Sequence, residues 1–394
     1  MEENEIKRRP RRRSPVQKNR SLQGTCLAVL LAGVIVLFVC AGLIAEDKTF
    51  SQNENRNLAQ RPALSWNSLK DGSYFSDLGE YVADQFPGRD LWLSVNFRFQ
   101  KFLGSKESGG VYLCADDYLI QVPGQPNETQ LERNLDAMEA FARKYPQLNM
   151  VAAIVPNAVT VLSEKLPANV PVRDQRQDLD RIAGCLRQVK LVDVTDTFLK
   201  HKDAELYYRT DHHWTSLAAA YAFQTIAPAL DLTAPAVSSY ERYCVSTTFE
   251  GTLASKSGSH KAKDTVEVFV PDTDVEYFVK YSDGTQICSM YQLEALEAKD
   301  HYTVFFGGNH ARLDITTTAD TQKNLLVFKD SYANCLIPLL YPYYEHITVI
   351  DPRYYYDNVE LLISSERITD VLYLYNLDTF LADASLADTL AVNG

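Results

Sequence analysis

Between residues 128 and 228 the apolar positions of the chain alternate between two spacings. "ETQLERNLDAMEAFARKY" (128–145) places them three and four apart, which predicts an amphipathic helix. "NMVAAIVP" (149–156) is a short continuous apolar run, the pattern of a buried strand. "RDQRQDLDRIAGCLRQ" (173–188) reads as helix and "VKLVDV" (189–194) as strand. "DHHWTSLAAAYAFQTIAPAL" (211–230) reads as a helix opened by Thr210 or Asp211 as its cap. The alternation returns in "NLLVFK" (324–329), "DSYANCLIPLLYP" (330–342), "HITVID" (346–351), the helix-like "YYDNVELLISS" (355–365) and "TDVLYLYN" (369–376). Stacked strand–helix units of this kind predict an α/β fold with a mainly parallel sheet and helices on both faces. Residues 235–320 break the rhythm. They are rich in Thr, Val, Tyr and Gly, and we read them as a β-rich insert.

The N-terminal part follows other patterns. "TCLAVLLAGVIVLFVCAGLIA" (25–45) holds no charge over a length that crosses a bilayer as a helix. It exceeds the apolar core of an ordinary cleaved signal peptide, so we read an uncleaved anchor. Residues 46–70 are polar and Pro-interrupted and read as a stalk. "YFSDLGEYVADQFPGRDLWLSVNFRFQKFLG" (74–104) has helical spacing on both sides of Pro87. "GGVYLCADDYLIQV" (109–122) reads as a hairpin with an acidic turn. The remaining domain spans 71–394.

Charge sharpens this picture. Residues 1–24 carry a balance of +5 against −12 for the whole chain, leaving −17 for residues 25–394. The basic block before the apolar run predicts a cytoplasmic tail and an extracytoplasmic body at the cell membrane. An acidic body excludes nucleic acid as the ligand class. Two of the seven cysteines, Cys26 and Cys40, lie in the apolar run. The others, Cys114, Cys185, Cys244, Cys288 and Cys335, are widely spaced, form no C-x-x-C pair and read as buried single thiols.

Candidate chemistry gathers at three places. The first is "YYRTDHHWTS" (207–216), where two of the chain's seven histidines adjoin an aspartate and a tryptophan. Asp211 and His213 have a spacing that lets the carboxylate orient the imidazole, as a general base requires. The same tetrad is compatible with a capped, partly buried helix start. Metal ligation is not expected: His301 and His310 lack the H-x-x-x-H spacing and no carboxylate cluster accompanies them. The second place is the step from strand "LLVFK" into Asp330 and Ser331. It sets Ser331 where a helix N-terminus favours a developing oxyanion, and Asp-Ser is equally an ordinary cap. The third is "VFFGGNHA" (304–311), a close-approach turn with Asn309 as a side-chain donor, or simply a turn between strands.

Taken together and in order, these pieces resemble the DHHW family, named for the tetrad at 211–214. That family is similar to the SGNH-hydrolase-like domains of alginate O-acetyltransferases. The resemblance extends over nearly the whole ectodomain. It runs through "SQNENRNLAQRP", "YVADQFPGRD", "AAIVPNAVTVLSEKLP", "YYRTDHHWTS", "FEGTLASKSG", "FFGGNHARLDI" and "LLVFKDSYANCLIPLL". It implies a permuted SGNH-like fold in which the Asp-x-His-Trp motif maps onto Asp211, His213 and Trp214, with His212 as the variable position. The nucleophile maps onto Ser331. Where ordinary SGNH enzymes have Gly-Asp-Ser, this chain has Lys329-Asp330-Ser331, which would crowd the pocket or add charge to it.

The resemblance further implies oxyanion donors among Gly308, Asn309 and the backbone of Ser331 or Tyr332. The aromatic residues around the site, such as Tyr207, Tyr208 and Trp214, suit a sugar, and Tyr208, Arg209 and Trp214 are the expected substrate contacts; no cofactor or metal is expected. The expected activity is O-acetyl transfer to a cell-surface polysaccharide or wall polymer through a Ser-His-Asp acyl-enzyme. Acetyl-CoA is not available outside the membrane, so a polytopic membrane O-acyltransferase is the expected partner and acyl source. A surface carbohydrate esterase and a non-catalytic glycan-binding or assembly protein are the alternatives.

Overall fold

The computed structural model describes residues 15–51 and 56–391. The first fourteen residues of the basic tail lie outside them. The chain divides into two units, Met1–Ser51 with Arg56–Trp92, and Gln52–Asn55 with Leu93–Gly394.

In the first unit a helix runs from Pro15 to Ile44, and its stretch Gln23–Ile44 is long and apolar enough to cross a membrane, with a mean hydropathy of 3.0. Where a stalk is expected, Phe50–Ser51 pairs antiparallel with Arg56–Asn57, and a short helix, Trp66–Asp71, follows. Ser65 caps that helix and Gly72 ends it at φ 84°, a conformation only glycine adopts cheaply. Pro87 separates the helices Ser73–Asp84 and Arg89–Phe102, because it has no N–H to continue the first.

The body is built on an eight-stranded sheet. Its strands in chain order are β1 (Asn149–Val155), β2 (Lys190–Val192), β3 (Tyr277–Tyr281), β4 (Gln286–Ile287), β5 (Arg312–Thr317), β6 (Asn324–Lys329), β7 (His346–Ile350) and β8 (Asp370–Asn376). Their spatial order is β4-β3-β5-β7-β6-β8-β1-β2. The five from β7 to β2 run parallel. β5, β3 and β4 continue the sheet antiparallel, so part of the expected insert extends the main sheet. The rest of the insert forms a separate bulged ribbon, Glu241–Phe249 against Asp264–Val270.

Alternation along β1 explains the two layers of helix. Val151, Ala153 and Val155 enter the core shared with helix Ser216–Ile226. Met150, Ala152 and Ile154 enter the opposite core, shared with helices Glu128–Lys144, Gln175–Cys185 and Val359–Ser365. Side chains of successive strand residues point to opposite faces, so a continuous apolar run is the pattern of a sheet covered on both sides.

Three expectations need correction. The helix after the His-His pair starts at Ser216, and its cap is Thr215, whose Oγ1 accepts from the Ala218 N–H at 3.3 Å. Thr210 and Asp211 lie in the preceding loop. The segment after Asp330 is not one α-helix but three short 3-10 helices, Ser331–Cys335, Ile337–Leu339 and Tyr341–Tyr343. Pro338 and Pro342 deny it the N–H groups an α-helix needs. Finally, no disulfide joins the described cysteines, and Cys185, Cys244 and Cys288 are exposed rather than buried.

Candidate active site

The carboxyl ends of β6, β8 and β1 carry the chemistry, as in other open parallel sheets. β6 ends at Lys329 and hands the chain to Asp330 and Ser331. The Asp330 carboxylate accepts from the Tyr332 N–H at 2.9 Å, and from the Asn376 N–H and Nδ2 at 3.0 and 2.8 Å. Asn376 ends β8, so Asp330 ties the serine turn to the neighbouring strand. Burial pushes this carboxyl up to about 6.

The other half of the site is a tight reversal of the chain. Tyr207 bridges Trp214, and the Thr215 N–H donates to the Leu206 carbonyl at 2.9 Å. This brings residues 208–213 into a loop that Asp211 organises from within. Its Oδ1 accepts from the His213 N–H at 2.9 Å and from His213 Nδ1 at 2.6 Å. Its Oδ2 accepts from the Thr252 N–H at 2.8 Å and the Thr252 hydroxyl at 2.9 Å. Burial by itself would raise this carboxyl. The neighbouring imidazoles of His212 and His213 and the donors of Thr252 outweigh it and hold Asp211 well below the usual carboxylate range.

A carboxylate on Nδ1 fixes the tautomer of His213 and leaves Nε2 as the acceptor. Nε2 lies 2.8 Å from Ser331 Oγ. The imidazole stacks on Tyr302, with ring centroids 3.8 Å apart and planes 12° apart. The Tyr302 hydroxyl donates to the Ser331 carbonyl at 3.1 Å, so one aromatic side chain braces both base and hydroxyl.

His212 turns the other way. Its Nδ1 lies 2.8 Å from Thr252 Oγ1. The Thr252 hydroxyl hydrogen goes to Asp211, so His212 Nδ1 is the donor of this bond. The side chain stays 41% exposed, yet desolvation by the protein around it and the adjacent His213 push His212 down to about 4, which keeps it neutral. Asp211, His212 and His213 have one donor atom each within 4.8 Å of one another. The Asp211 carboxylate and both ring nitrogens of His213 are engaged by one another, by Thr252 and by Ser331, which is the bonding of a base and the acid that orients it, while His212 Nδ1 is engaged by Thr252.

Several expected contacts fall elsewhere. Trp214 is fully buried, and its Nε1–H donates to the Tyr332 carbonyl at 2.8 Å. Tyr208 is buried edge-on to Phe249 and Tyr302. Neither is open to a sugar. Arg209 pairs with Glu205 and lies over the Tyr118 ring. The Tyr332 N–H is committed to Asp330, and the Gly308 N–H donates to the Phe305 carbonyl at 3.1 Å, so neither amide is free for an oxyanion. Asn309 Oδ1 accepts from Lys329 Nζ at 2.7 Å and from Asn334 Nδ2 at 3.3 Å, while its own Nδ2 has no partner among the described residues. The Ser331 N–H likewise donates to no acceptor among the described residues.

Lys329 is buried. Its ammonium is held by Asn309, by Asn334 at 2.8 Å and by Asp351 at 3.6 Å, and burial pushes it down to about 8. The charge that stands where a glycine was expected is therefore absorbed by neighbouring groups.

Sequence reasoning missed Thr252, Gly251, Tyr302 and Asn376. Gly251 packs so closely that a Cβ there would come within 2.3 Å of Asp211 Cβ. "FEGTLASKSG" flags Gly251 and Thr252 as a segment, but nothing in it names Asp211 as their partner. A cavity of about 300 Å³ opens beside the loop, lined by His212, Gln121, Asn157, Lys256, Asp378 and Thr379 among others.

Residues 113–280 match the family model of the SGNH hydrolase-like domain of acetyltransferase AlgX. The fold is SGNH-like. A DHHW family protein from Eubacterium siraeum is similar at a TM-score of 0.63 and 23% identity, over 73% of this chain and 96% of that one. Bacillus cereus PatB1, solved with a sulfonyl adduct, is similar at a TM-score of 0.59 and 21% identity, over 70% of this chain and 97% of that one. At these identities the likeness is one of fold. No curated protein matches the chain. In this SGNH-like domain the Asp and His precede the Ser along the chain, the order implied by the DHHW tetrad.

Proposed function

We propose that the protein is an extracytoplasmic O-acyltransferase acting on a cell-surface glycan through a Ser331 acyl-enzyme. The observation that carries this reading is the line from Asp211 through His213 to Ser331, with contacts of 2.6 and 2.8 Å. His213 Nε2 takes the Ser331 hydroxyl proton as Oγ bonds to the carbonyl carbon of a donor ester. The Ser331 N–H and the Asn309 amide are the free donors for the oxyanion. Collapse breaks the bond to the leaving oxygen, which receives the proton from His213. An acceptor hydroxyl then gives its proton to Nε2 and attacks the acyl carbon; the bond from that carbon to Ser331 Oγ breaks, the new ester leaves, and His213 returns the proton to Oγ.

The cavity beside His212 supports a sugar as acceptor, because it mixes neutral acceptors and donors with a carboxylate and an ammonium. The family-model match to an acetyltransferase domain supports acetyl as the acyl group. The apolar helix supports a single-pass anchor, with the basic tail in the cytoplasm. On this reading the acyl group is handed across by a polytopic membrane O-acyltransferase.

The test is incubation with 4-nitrophenyl acetate, read by intact-protein mass. Acetylation of wild type and its loss in Ser331→Ala is the expected result. Full labelling of Ser331→Ala would remove the serine from the mechanism. Rapid acyl loss to water with no gain from added oligosaccharide would turn the reading to an esterase.

A further inference from the structure

We propose that the turn between the helices Ser73–Asp84 and Arg89–Phe102 dips into the outer boundary of the lipid bilayer beside the apolar helix, giving the protein a second membrane attachment. This rests on the anchor reading. Phe86 stacks on Phe38 with ring centroids 5.1 Å apart, and Trp92 meets the same ring edge-on at 5.9 Å. Pro87 packs beside Gly42, where a Cβ would sit in ordinary contact with its ring at 3.9 Å. Phe38 lies six residues inside Ile44, the end of the apolar stretch. At the rise of an α-helix that is roughly 9 Å below the point where the span leaves the hydrocarbon.

Polar contacts fix the level independently. The Tyr81 hydroxyl donates to Asp47 at 3.0 Å. The Gln85 side chain accepts from the Lys48 N–H at 3.0 Å and donates to the Lys48 carbonyl at 2.9 Å. Tyr81 and Gln85 thus sit level with the first polar residues after the span, and the chain beyond Gln85 turns back along it. The outward side of this turn carries three large apolar side chains, Val82 at 54% exposure, Leu91 at 67% and Trp92 at 45%, with Asp90 the exposed charge among them. No described residue covers these side chains. At the headgroup boundary, an apolar wedge carrying a Trp and a Tyr is in its favoured place.

The chain's three tryptophans provide the test: Trp66, Trp92 and the fully buried Trp214. Full-length Trp66→Phe protein is reconstituted into phosphatidylcholine–phosphatidylglycerol vesicles containing lipid brominated near the headgroup end of its chains. The same is done with Trp66→Phe/Trp92→Phe, and emission is compared. The Trp92 contribution should lose at least about half its intensity to the brominated lipid and resist aqueous iodide, as an interfacial indole does. Quenching of Trp92 by iodide alone would place the turn in water and overturn the proposal. Resistance to both quenchers would mean that protein covers it, and would overturn it equally. Failure of the protein to float with the vesicles would overturn the anchor reading, and this one with it.

Discussion

His213 Nε2 and Ser331 Oγ lie 2.8 Å apart although 118 residues separate them in the chain. The contact exists because the 207–214 loop and the end of β6 meet at the carboxyl end of the sheet. Ser331→Ala should abolish acylation by an activated ester, and His213→Ala should lower its rate by more than about a thousandfold. Stopped-flow release of 4-nitrophenolate measures both, and circular dichroism checks that each variant folds.

Asp211→Asn keeps the shape but offers an amide where His213 Nδ1–H needs an acceptor. The rate of acylation should fall by about four orders of magnitude through loss of the correct tautomer. Because the folded carboxyl is held low, Asp211 stabilises the fold at pH above its ordinary value of about 4, and that stability is lost as the pH falls below it. Thermal melts from pH 7 down to 3 should show a steeper acid loss in wild type than in Asp211→Asn.

Gly251→Ala should cripple the site without touching its reacting atoms. The new methyl would meet the Asp211 carboxylate oxygen Oδ2 at 2.4 Å. Asp211 must shift, and an ångström of misplacement at a base–nucleophile pair costs about a hundredfold. The expected result is a fall in kcat with KM for the ester little changed, while Gly251→Ser does no better.

His212 should behave as a neutral group. Its folded value of about 4 lies below its ordinary one, so between about pH 4 and 6.5 the unfolded chain binds more protons. Stability from this source therefore rises with pH across that window and is lost on acidification. Urea midpoints at pH 4.5 and 7 should differ less in His212→Gln than in wild type. His212→Ala should slow acylation by less than about tenfold, far less than His213→Ala.

Trp214→Phe should act through packing. It removes the Nε1–H bond to the Tyr332 carbonyl and alters the stack on the Tyr332 ring, 5.5 Å away. That leaves a buried carbonyl with the long bonds from the Tyr302 hydroxyl at 3.4 Å and the Cys335 thiol at 3.6 Å, a destabilisation of about 1–3 kcal/mol. A lowered urea midpoint with KM for oligosaccharide unchanged is expected. A selective rise in that KM would show Trp214 to be a sugar contact after all.

What was legible in the sequence was whatever depends on local order. The apolar run of β1 predicted a strand covered on both faces, because side chains alternate in a strand whatever lies around it. Pro87 divided two helices, and the uncharged stretch before residue 45 predicted a long apolar helix, for equally local reasons. The pairing of Asp211 with His213 was also legible, since an aspartate two residues before a histidine can reach both its N–H and its ring. Partners distant in sequence were decided by the tertiary fold. Thr252 and Gly251 fit against Asp211 only because the insert returns to the loop, and Asn376 meets Asp330 only because β8 lies beside β6. The same packing buried Trp214 and Tyr208, which composition alone offered as surface rings for a sugar, and spent the amides of Gly308 and Tyr332 on their own turns. A residue type states what a group can bond. Which of those bonds it makes depends on what the fold places within about 3 Å of it.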